Sequence, residues 1–261
     1  MHFNLERGWF LFIILGGFLI YIFILPFYHK MSLQRRSREA YARIRTSPVP
    51  WKVFGLSEEK RSVYYWQLGD TSNVTLIFGA FHGDEQTGFH LVLQLADSLA
   101  AHPESISKGV VLVPVANPDG LLAGTRVNSR GVDINRNFPT DNWTPVYSKD
   151  NNYPGPEAAS EQETILIMQM LDRFKPKRII TIHDALHMNN FNGPAQELAE
   201  LLQSYNGYPV TKDVGYPTPG SFGNYTGEER QIPVVTLELP AIGPEEAWEE
   251  NSQALIAAIN F

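Results

Sequence analysis

Residues 51–261 alternate between short apolar runs of strand length and longer amphipathic stretches of helix length. Five strands are predicted, at Ser62–Leu68, Val74–Phe81, Val110–Ala116, Arg178–His183 and Pro233–Leu239. Four helices are predicted, at Gln86–Ala101, Glu157–Phe174, Pro194–Ser204 and Pro244–Ile259, and Ser160–Glu163 has the spacing of a capping box for the second. This alternation predicts an α/β fold, a single domain with a mixed, largely parallel twisted sheet and helices on both faces.

The N-terminal residues differ from the rest of the chain. Trp9–Tyr28 is a run of 20 residues without a charged side chain, which is long enough to cross a hydrocarbon layer about 30 Å thick once. The run exceeds the apolar region of a signal peptide, and no small-residue cleavage site follows it. We therefore predict a transmembrane helix that anchors the chain in 1–30, a basic juxtamembrane helix and linker in 31–50, and the folded domain in 51–261.

Positive charge lies mostly after the apolar run. One arginine, Arg7, precedes the run, and six basic residues follow it: Lys30, Arg35, Arg36, Arg38, Arg43 and Arg45. The positive-inside rule therefore predicts a single-pass membrane protein with its folded domain on the cytoplasmic face. A signal anchor that places the domain on the periplasmic side is the alternative.

The composition excludes several classes of site and partner. The chain has no cysteine, so any metal ion must be bound by histidines and carboxylates. Residues 51–261 carry 14 Lys and Arg against 26 Asp and Glu. Such an acidic domain offers no basic face for phosphates, which excludes nucleic acid as a partner. Small molecules, peptides and a membrane remain.

Residues that can bind a metal lie where predicted strands end. His82 and Glu85 directly follow the strand Val74–Phe81, His183 ends a later strand, and Glu238 lies near the end of the last one. The carboxyl ends of parallel strands form the edge of the sheet where sites are found. Two histidines, one carboxylate and an open position form the ligand set of a hydrolytic zinc site. His82-x-x-Glu85 alone also fits a solvated loop.

A polar stretch follows the strand Val110–Ala116. Residues 117–139 contain three arginines and four asparagines, within the motifs NPDG, GTR and GVDINRNFP. Surface loops rarely need so many of these side chains, whereas a site that binds a carboxylate and stabilises an oxyanion does. This stretch therefore favours a catalytic role for His82 and Glu85. Within it, Asp133 is interpreted either as a partner of a ligand histidine or as support for the Asn135–Arg136 turn.

The ordered motifs HGDE, NPDG, GTR, GVDINRNFP, TIH and TLELP resemble the zinc carboxypeptidase superfamily over roughly residues 60–261. Residues 210–223 are similar to its murein tripeptide amidase branch. The resemblance implies one zinc ion, with His82, Glu85 and His183 as its ligands.

The resemblance also implies roles for five further residues. Glu238 would be the general base, and Arg126 would face the carbonyl oxygen. Asn135 and Arg136 would hold the free carboxylate of the leaving residue. Tyr216 lies about where the family has a mobile tyrosine, although the loop before Ser221 is one residue shorter.

Two more residues near the implied site each have two interpretations. Asp184 follows a predicted ligand and either orients His183 or serves elsewhere. Phe222 either lines a side-chain pocket or belongs to the core.

The predicted function is a zinc-dependent hydrolase of an amide bond next to a carboxy-terminal residue. The resemblance indicates the γ-D-glutamyl–diaminopimelate bond of murein peptides, with another small peptide substrate, as for a general metallocarboxypeptidase, as an alternative. A deacylase of the aspartoacylase or succinylglutamate desuccinylase type shares His-x-x-Glu and a later His. A metal-free, membrane-tethered peptide-binding module is disfavoured because no ligand or base is missing.

One departure from the amidase branch concerns the substrate. After His183 the chain reads DALHMNN, whereas that branch tends to carry Asp-Pro-Leu and then an acidic residue. The difference alters how the amino group of a diaminopimelate residue would be bound.

Overall fold

The computed structural model describes Ile22 and residues 24–261. Within these residues the helices are α1 Leu25–Arg43, α2 Gln86–Ala101, α3 Pro118–Ala123, α4 Gln162–Phe174, α5 Gln196–Asn206 and α6 Pro244–Asn260. The strands are β1 Lys52–Leu56, β2 Ser62–Leu68, β3 Val74–Phe78, β4 Gly109–Val113, β5 Arg178–Asp184, β6 Met188–Asn192, β7 Val210–Thr211 and β8 Val234–Leu239. A π-helical segment, Asn224–Glu229, precedes β8.

The strands form one mixed sheet in the order β1-β2-β4-β3-β5-β8-β6-β7. The central strands β4, β3, β5 and β8 are parallel to one another. Antiparallel pairing joins β1 to β2, β2 to β4 and β6 to β8. The predicted single α/β domain with a mixed sheet is confirmed, and the parallel centre brings the carboxyl ends of β3, β5 and β8 to one edge.

Alternate apolar side chains of the central strands face two helical layers. Leu76 and Phe78 of β3 pack in one core with α4, whereas Ile77 between them packs in a second core with α2, α5 and α6. This alternation follows from the two-residue period of a strand. Both faces of the sheet are therefore covered by helices.

On the α4 side, β5 and β8 change from apolar to polar toward their carboxyl ends. The aligned pairs on this face are Ile179 with Val234, Thr181 with Thr236, and His183 with Glu238. The first pair belongs to the core, and the other two pairs line a cavity. The face that is packed at one end of the strands is thus open to ligands at the other.

Several predicted boundaries and elements need correction. β3 ends at Phe78 and β4 at Val113, three residues before their predicted ends, because the chain turns there into loops at the edge of the sheet. The strands β1, β6 and β7 and the helix α3 were not predicted. β6 reads MNNFN, which has no alternation of apolar and polar residues.

The predicted capping box at Ser160–Glu163 is wrong. The helix α4 begins at Gln162, and no side chain caps it. The side chains of the motif bind a neighbouring loop instead: Glu161 and Glu163 both accept hydrogen bonds from Asn128, at 2.7 and 3.1 Å. Residues 157–161 therefore form a loop, which explains why the helix starts five residues later than predicted.

Helix α1 packs against the rest of the domain. Gln34 Nε2 donates a hydrogen bond to Leu121 O at 2.7 Å, and Tyr41 Oη donates one to Ser62 O at 2.8 Å. Ser37 is fully buried. These contacts hold α1, which covers much of the segment predicted as a basic juxtamembrane helix, against the domain predicted from residue 51.

The predicted membrane-spanning run, Trp9–Tyr28, lies outside the described residues except for Ile22 and 24–28. In the part of the chain that the structure does describe, no helix combines the length and the apolar character needed to cross a bilayer.

Candidate active site

Three buried side chains at the edge of the sheet direct their donor atoms at one position. His82 Nδ1 lies 2.7 Å from Glu85 Oε1, and His183 Nδ1 lies 2.8 Å from Glu85 Oε2. The two Nδ1 atoms are 3.1 Å apart. Such a set of two imidazole nitrogens and a carboxylate can hold one metal ion. The structure therefore brings together the three predicted ligand residues, which we call the His–Glu–His cluster.

A tight loop between β3 and α2 places the His82–Glu85 motif. Gly83 in this loop lies so close to the first turn of α3 that a Cβ would be 1.9 Å from the Gly120 carbonyl carbon. Only glycine permits this approach. Asn117 caps α3 by accepting a hydrogen bond from Gly120 N at 2.8 Å. The HGDE and NPDG motifs are thus packed against each other.

Asp133 is fully buried and holds both His82 and Arg126. Its Oδ1 lies 3.1 Å from His82 Nε2 and accepts a hydrogen bond from Asn135 N at 2.9 Å. Its Oδ2 accepts two hydrogen bonds from Arg126, at 3.1 and 3.0 Å. A carboxylate behind a histidine fixes the orientation and tautomer of the ring. Asp133 therefore has both of its predicted positions, beside His82 and in the Asn135–Arg136 turn.

The carboxylates favour positive charge within the cluster. Burial lowers the pKa of His82, but Glu85 and Asp133 outweigh that effect and raise the pKa to about 9. For Glu85, burial acts to raise the pKa, and the nearby His82 and His183 hold it below its usual range. A divalent cation at the shared position of the donor atoms satisfies the same preference for positive charge.

Glu238 lies opposite His183 on the neighbouring strand. Its side chain is buried, and its Oε2 has no hydrogen-bond partner among the described residues. Burial raises the pKa of this carboxyl group. A carboxylate with one free oxygen and a raised pKa can accept a proton from water at this edge.

A cavity of about 380 Å³ opens beside the cluster. All eight predicted site residues line it: His82, Glu85, Arg126, Asn135, Arg136, His183, Tyr216 and Glu238. Tyr216 is half exposed, on the loop that follows β7. The residues predicted from the sequence therefore surround one cavity, although they are spread over more than half the chain.

Arg136 and Asn135 present unused donors to the cavity. Arg136 is 7% exposed, yet it forms no ion pair with any described residue, and its Nη1 donates to Asn135 O at 2.6 Å. Burial lowers the pKa of its guanidinium. Asn135 Oδ1 accepts a hydrogen bond from Phe222 N at 2.9 Å, which leaves its amide group free to donate. A buried, unpaired guanidinium beside such an amide suits a carboxylate ligand.

Arg126 is bound differently. Besides its two hydrogen bonds to Asp133, its Nη1 lies 3.3 Å from Glu85 Oε1. It also lines the cavity. Arg126 therefore brings a positive charge next to the His–Glu–His cluster.

Most asparagines of residues 117–139 have structural roles. Asn117 caps α3, Asn128 binds the loop before α4, and Asn137 donates a hydrogen bond to Pro154 O at 2.7 Å. Among the four, Asn135 alone lines the cavity. The interpretation of the whole stretch as a binding surface is therefore too broad.

Asp184 and Phe222 also lie at the cavity. Asp184 makes no hydrogen bond to His183 among the described residues; its backbone N contacts Glu85 Oε2 at 3.4 Å. Burial, with the nearby Glu85, raises the pKa of Asp184 to about 8. Phe222 is buried against the rings of Phe78 and Phe81 and also lines the cavity, so both of its interpretations hold.

A second group of cavity residues was not predicted from the sequence. They are mostly polar and come from the later strands and the segment before β8: Thr181, Asn190, Asn192, Lys212, Ser221, Asn224, Glu228 and Thr236. The available signal was the asparagine pair at 189–190, placed soon after a predicted ligand in a stretch with no apolar period.

Comparison with known proteins agrees with this geometry. The sequence profile of the zinc carboxypeptidase family matches residues 45–197, more than half of the chain. The chain belongs to the zinc carboxypeptidase family. It is therefore a hydrolase with zinc as its cofactor, and the His–Glu–His cluster supplies donors of the type that zinc binds.

Within the family, the chain is similar to proteins that are named as murein amidases. Murein peptide amidase A from Vibrio campbellii is 32% identical over 209 residues, 76% of this chain and 82% of the relative. Murein peptide amidase A from Escherichia coli K12 is 34% identical over 187 residues, 67% of this chain and 74% of the relative. The crystal structure of murein-tripeptide amidase MpaA from Escherichia coli O157 superposes with a TM-score of 0.71 at 29% identity, covering 82% of this chain and 93% of the other.

Proposed function

We propose that this zinc carboxypeptidase hydrolyses the γ-D-glutamyl–diaminopimelate bond of murein peptides. The proposal rests on the buried guanidinium of Arg136, which pairs with no carboxylate among the described residues and lies in the same cavity as the His–Glu–His cluster. A cation there selects a substrate with a free carboxylate next to the bond that is cleaved. The similarity to murein peptide amidases supplies the substrate class.

His82, Glu85 and His183 are the proposed zinc ligands. Their donor atoms converge, they are buried, and Asp133 holds the second ring nitrogen of His82. When bound, zinc makes water more acidic and polarises the scissile carbonyl group.

Glu238 is the proposed general base. Its free Oε2 can take a proton from the attacking water and later pass that proton to the departing amine. Burial, which raises the pKa of Glu238, favours the protonated carboxyl group that forms between the two transfers.

Arg126 is the proposed stabiliser of the oxyanion. It lies beside the cluster and lines the cavity, so its positive charge is near the carbon that water attacks. Its two hydrogen bonds to Asp133 fix the guanidinium before the substrate binds.

Asn135 and Arg136 are the proposed carboxylate-binding residues. A bidentate contact from Arg136 would favour a carboxy-terminal residue over one inside a longer peptide. Tyr216, half exposed on its loop at the same cavity, is the proposed mobile residue that contacts the bound substrate.

The membrane anchor is also part of the proposal. We infer from the uncharged run Trp9–Tyr28 and the basic residues after it that the chain is held at the membrane with its domain in the cytoplasm. There it would act on small muropeptides close to the bilayer.

Substrate comparison with the full-length, zinc-loaded protein in detergent tests the function. The probes are the murein tripeptide L-Ala-γ-D-Glu-meso-diaminopimelate, the tetrapeptide with a further D-Ala, and an N-acyl dipeptide that ends in an apolar residue. We expect the release of diaminopimelate from the tripeptide, measured by mass spectrometry, and little cleavage of the tetrapeptide at this bond, because its diaminopimelate carboxylate is blocked. Cleavage of the N-acyl dipeptide alone would instead indicate a general metallocarboxypeptidase.

A further inference from the structure

A pair of opposite charges lines the substrate cavity. Lys212 follows β7 and Glu228 lies in the π-helical segment, and both line the cavity that contains Arg136 and the His–Glu–His cluster. Lys212 Nζ lies 3.9 Å from Glu228 Oε1. We call these two residues the charged pair.

Neither member of the charged pair is saturated by protein contacts. At 3.9 Å the two groups attract each other without a hydrogen bond. Among the described residues, Lys212 Nζ donates no hydrogen bond. Glu228 Oε1 accepts from Asn192 Nδ2 at 3.3 Å and from Gly193 N at 3.2 Å, and its Oε2 accepts none. Both side chains remain accessible, 63% and 38% exposed, so a ligand can reach the ammonium and the carboxylate together.

The cavity wall is polar as well. Thr181 and Thr236 line it from adjacent strands, with their hydroxyl oxygens 3.2 Å apart. Asn190 donates its amide to Thr211 O at 3.1 Å, while its Oδ1 accepts no hydrogen bond from the described residues. An apolar ligand would leave these groups without the hydrogen bonds that water gives them, which opposes its binding.

We propose that Lys212 and Glu228 determine specificity by binding the two charged groups at the end of a zwitterionic side chain. Lys212 binds its carboxylate and Glu228 binds its ammonium. Diaminopimelate has such a side chain, so the inference rests on the proposed function and names the residues that select its leaving group. Glu228 would take the place of the second acidic residue, the one that is missing after Asp184 in DALHMNN.

Two further acids that could compete for the ammonium line the cavity, Asp184 and Asp213. Asp184 directly follows the proposed ligand His183 and lies beside Glu85, and among the described residues it forms no ion pair with Lys212. Asp213 lines the cavity beside Lys212, but its Oδ1 accepts a hydrogen bond from Gly215 N at 2.7 Å within its own turn. Among the described residues, Glu228 is the acid whose carboxylate lies beside Lys212 Nζ, at 3.9 Å, so one zwitterionic group can reach both charges. We therefore assign the ammonium to Glu228.

Three amino acids distinguish the contribution of the ammonium to binding from that of the carboxylate. Meso-diaminopimelate carries both groups at the end of its side chain, L-lysine carries only the ammonium, and L-2-aminopimelate carries only the carboxylate. Calorimetric titration of each into the full-length, zinc-loaded protein measures binding without turnover. The wild-type protein should bind diaminopimelate most tightly.

Two substitutions should give opposite patterns. Lys212→Met should weaken binding of diaminopimelate and aminopimelate roughly tenfold and leave lysine unchanged or tighter. Glu228→Gln should weaken diaminopimelate and lysine by a similar factor and spare aminopimelate. The exposed residues Lys177 and Glu197, changed to Met and Gln, are the matched controls and should change no affinity.

The outcomes separate this inference from the proposed function. Equal losses for all three ligands, no loss for any, or no binding by the wild-type protein would overturn the role of the charged pair. If the opposite patterns appear but the same protein cleaves none of the three corresponding L-Ala-γ-D-Glu peptides, the charged pair stands and the proposed bond specificity fails.

Discussion

At the scale of single residues, the candidate site depends on buried donor atoms that converge on one position. The nitrogens of His82 and His183 face each other at 3.1 Å, and neutral rings at that distance need a shared proton or a cation between them. The carboxylate of Glu85 reaches both rings. Removing one of these three donors therefore changes what the other two can bind.

The ligand set gives the first residue-scale prediction. His82→Ala and His183→Ala should each abolish stable zinc binding, because two remaining protein ligands do not complete a catalytic zinc site. Elemental analysis of the purified variants measures zinc per chain, with one ion expected in the wild-type protein. His102→Ala is the control, since that exposed histidine lies outside the cluster. Full zinc content in both variants would contradict the ligand assignment.

The proposed general base, Glu238, gives the second prediction at the residue scale. Glu238→Gln keeps the size of the side chain but cannot accept a proton from water. Zinc content should be unchanged, while kcat falls about 10²–10⁴-fold, the usual contribution of general acid–base catalysis. The exposed Glu249→Gln is the matched control. Near-normal turnover by the Glu238→Gln variant would show that another group takes the proton.

At the scale of elements, the success of prediction from sequence depended on how each element is buried. The strands β3, β4 and β5 are buried on both faces and read as runs of branched apolar residues, so they could be located. The residues of the His–Glu–His cluster could be predicted because they lie at or just after the ends of such strands. The strand β6 could not be located, because its buried positions are asparagines whose amide groups donate to distant backbone carbonyl groups, those of Tyr208 and Thr211.

Dependence on tertiary contacts also explains why some residues of the cavity were not predicted from the sequence. The residues around the cluster belong to motifs with a recognisable order, whereas Asn190, Lys212 and Glu228 belong to segments that meet only in the folded chain. Likewise, Ser160 and Glu163 have the spacing of a capping box, but the carboxylate of Glu163 accepts a hydrogen bond from Asn128, more than thirty residues away. The spacing of residues within a short motif does not indicate partners that are distant in the sequence.

The contact between two loops gives a prediction at this scale. Asp133 joins the loop after β3 to the turn Ile134–Arg136, through His82 and Asn135 N. Asp133→Asn should weaken zinc affinity about 10–100-fold, because His82 loses the charged partner that fixes its ring. Competition with a chromogenic chelator measures this affinity. The exposed Asp172→Asn, on α4, is the control.

If zinc affinity were unchanged in Asp133→Asn while thermal stability fell, the role of Asp133 would be confined to holding the turn. Burial alone would raise the pKa of Asp133, but His82, Arg126 and Arg136 hold it below its usual range. The carboxylate is therefore charged at neutral pH, and the substitution removes a charge as well as an acceptor.

At the scale of the whole molecule, α1 connects the apolar run to the domain. Six basic residues, from Lys30 to Arg45, follow that run. The helix that carries most of them is held on the domain by Gln34, Ser37 and Tyr41. The basic residues and the domain would therefore lie on the same side of the membrane that the proposed anchor crosses.

Topology gives the last prediction. Positive charges resist translocation, so a fusion of alkaline phosphatase after Phe261 should be inactive, and a cytoplasmic reporter at the same place should be active. Replacing residues 1–30 with a cleavable signal peptide provides the control, in which the phosphatase should become active because the domain is exported. An active phosphatase and a silent cytoplasmic reporter in the unaltered chain would place the domain outside. The proposed hydrolase would then trim wall peptides in place, since the same cavity would meet attached murein peptides instead of recycled ones.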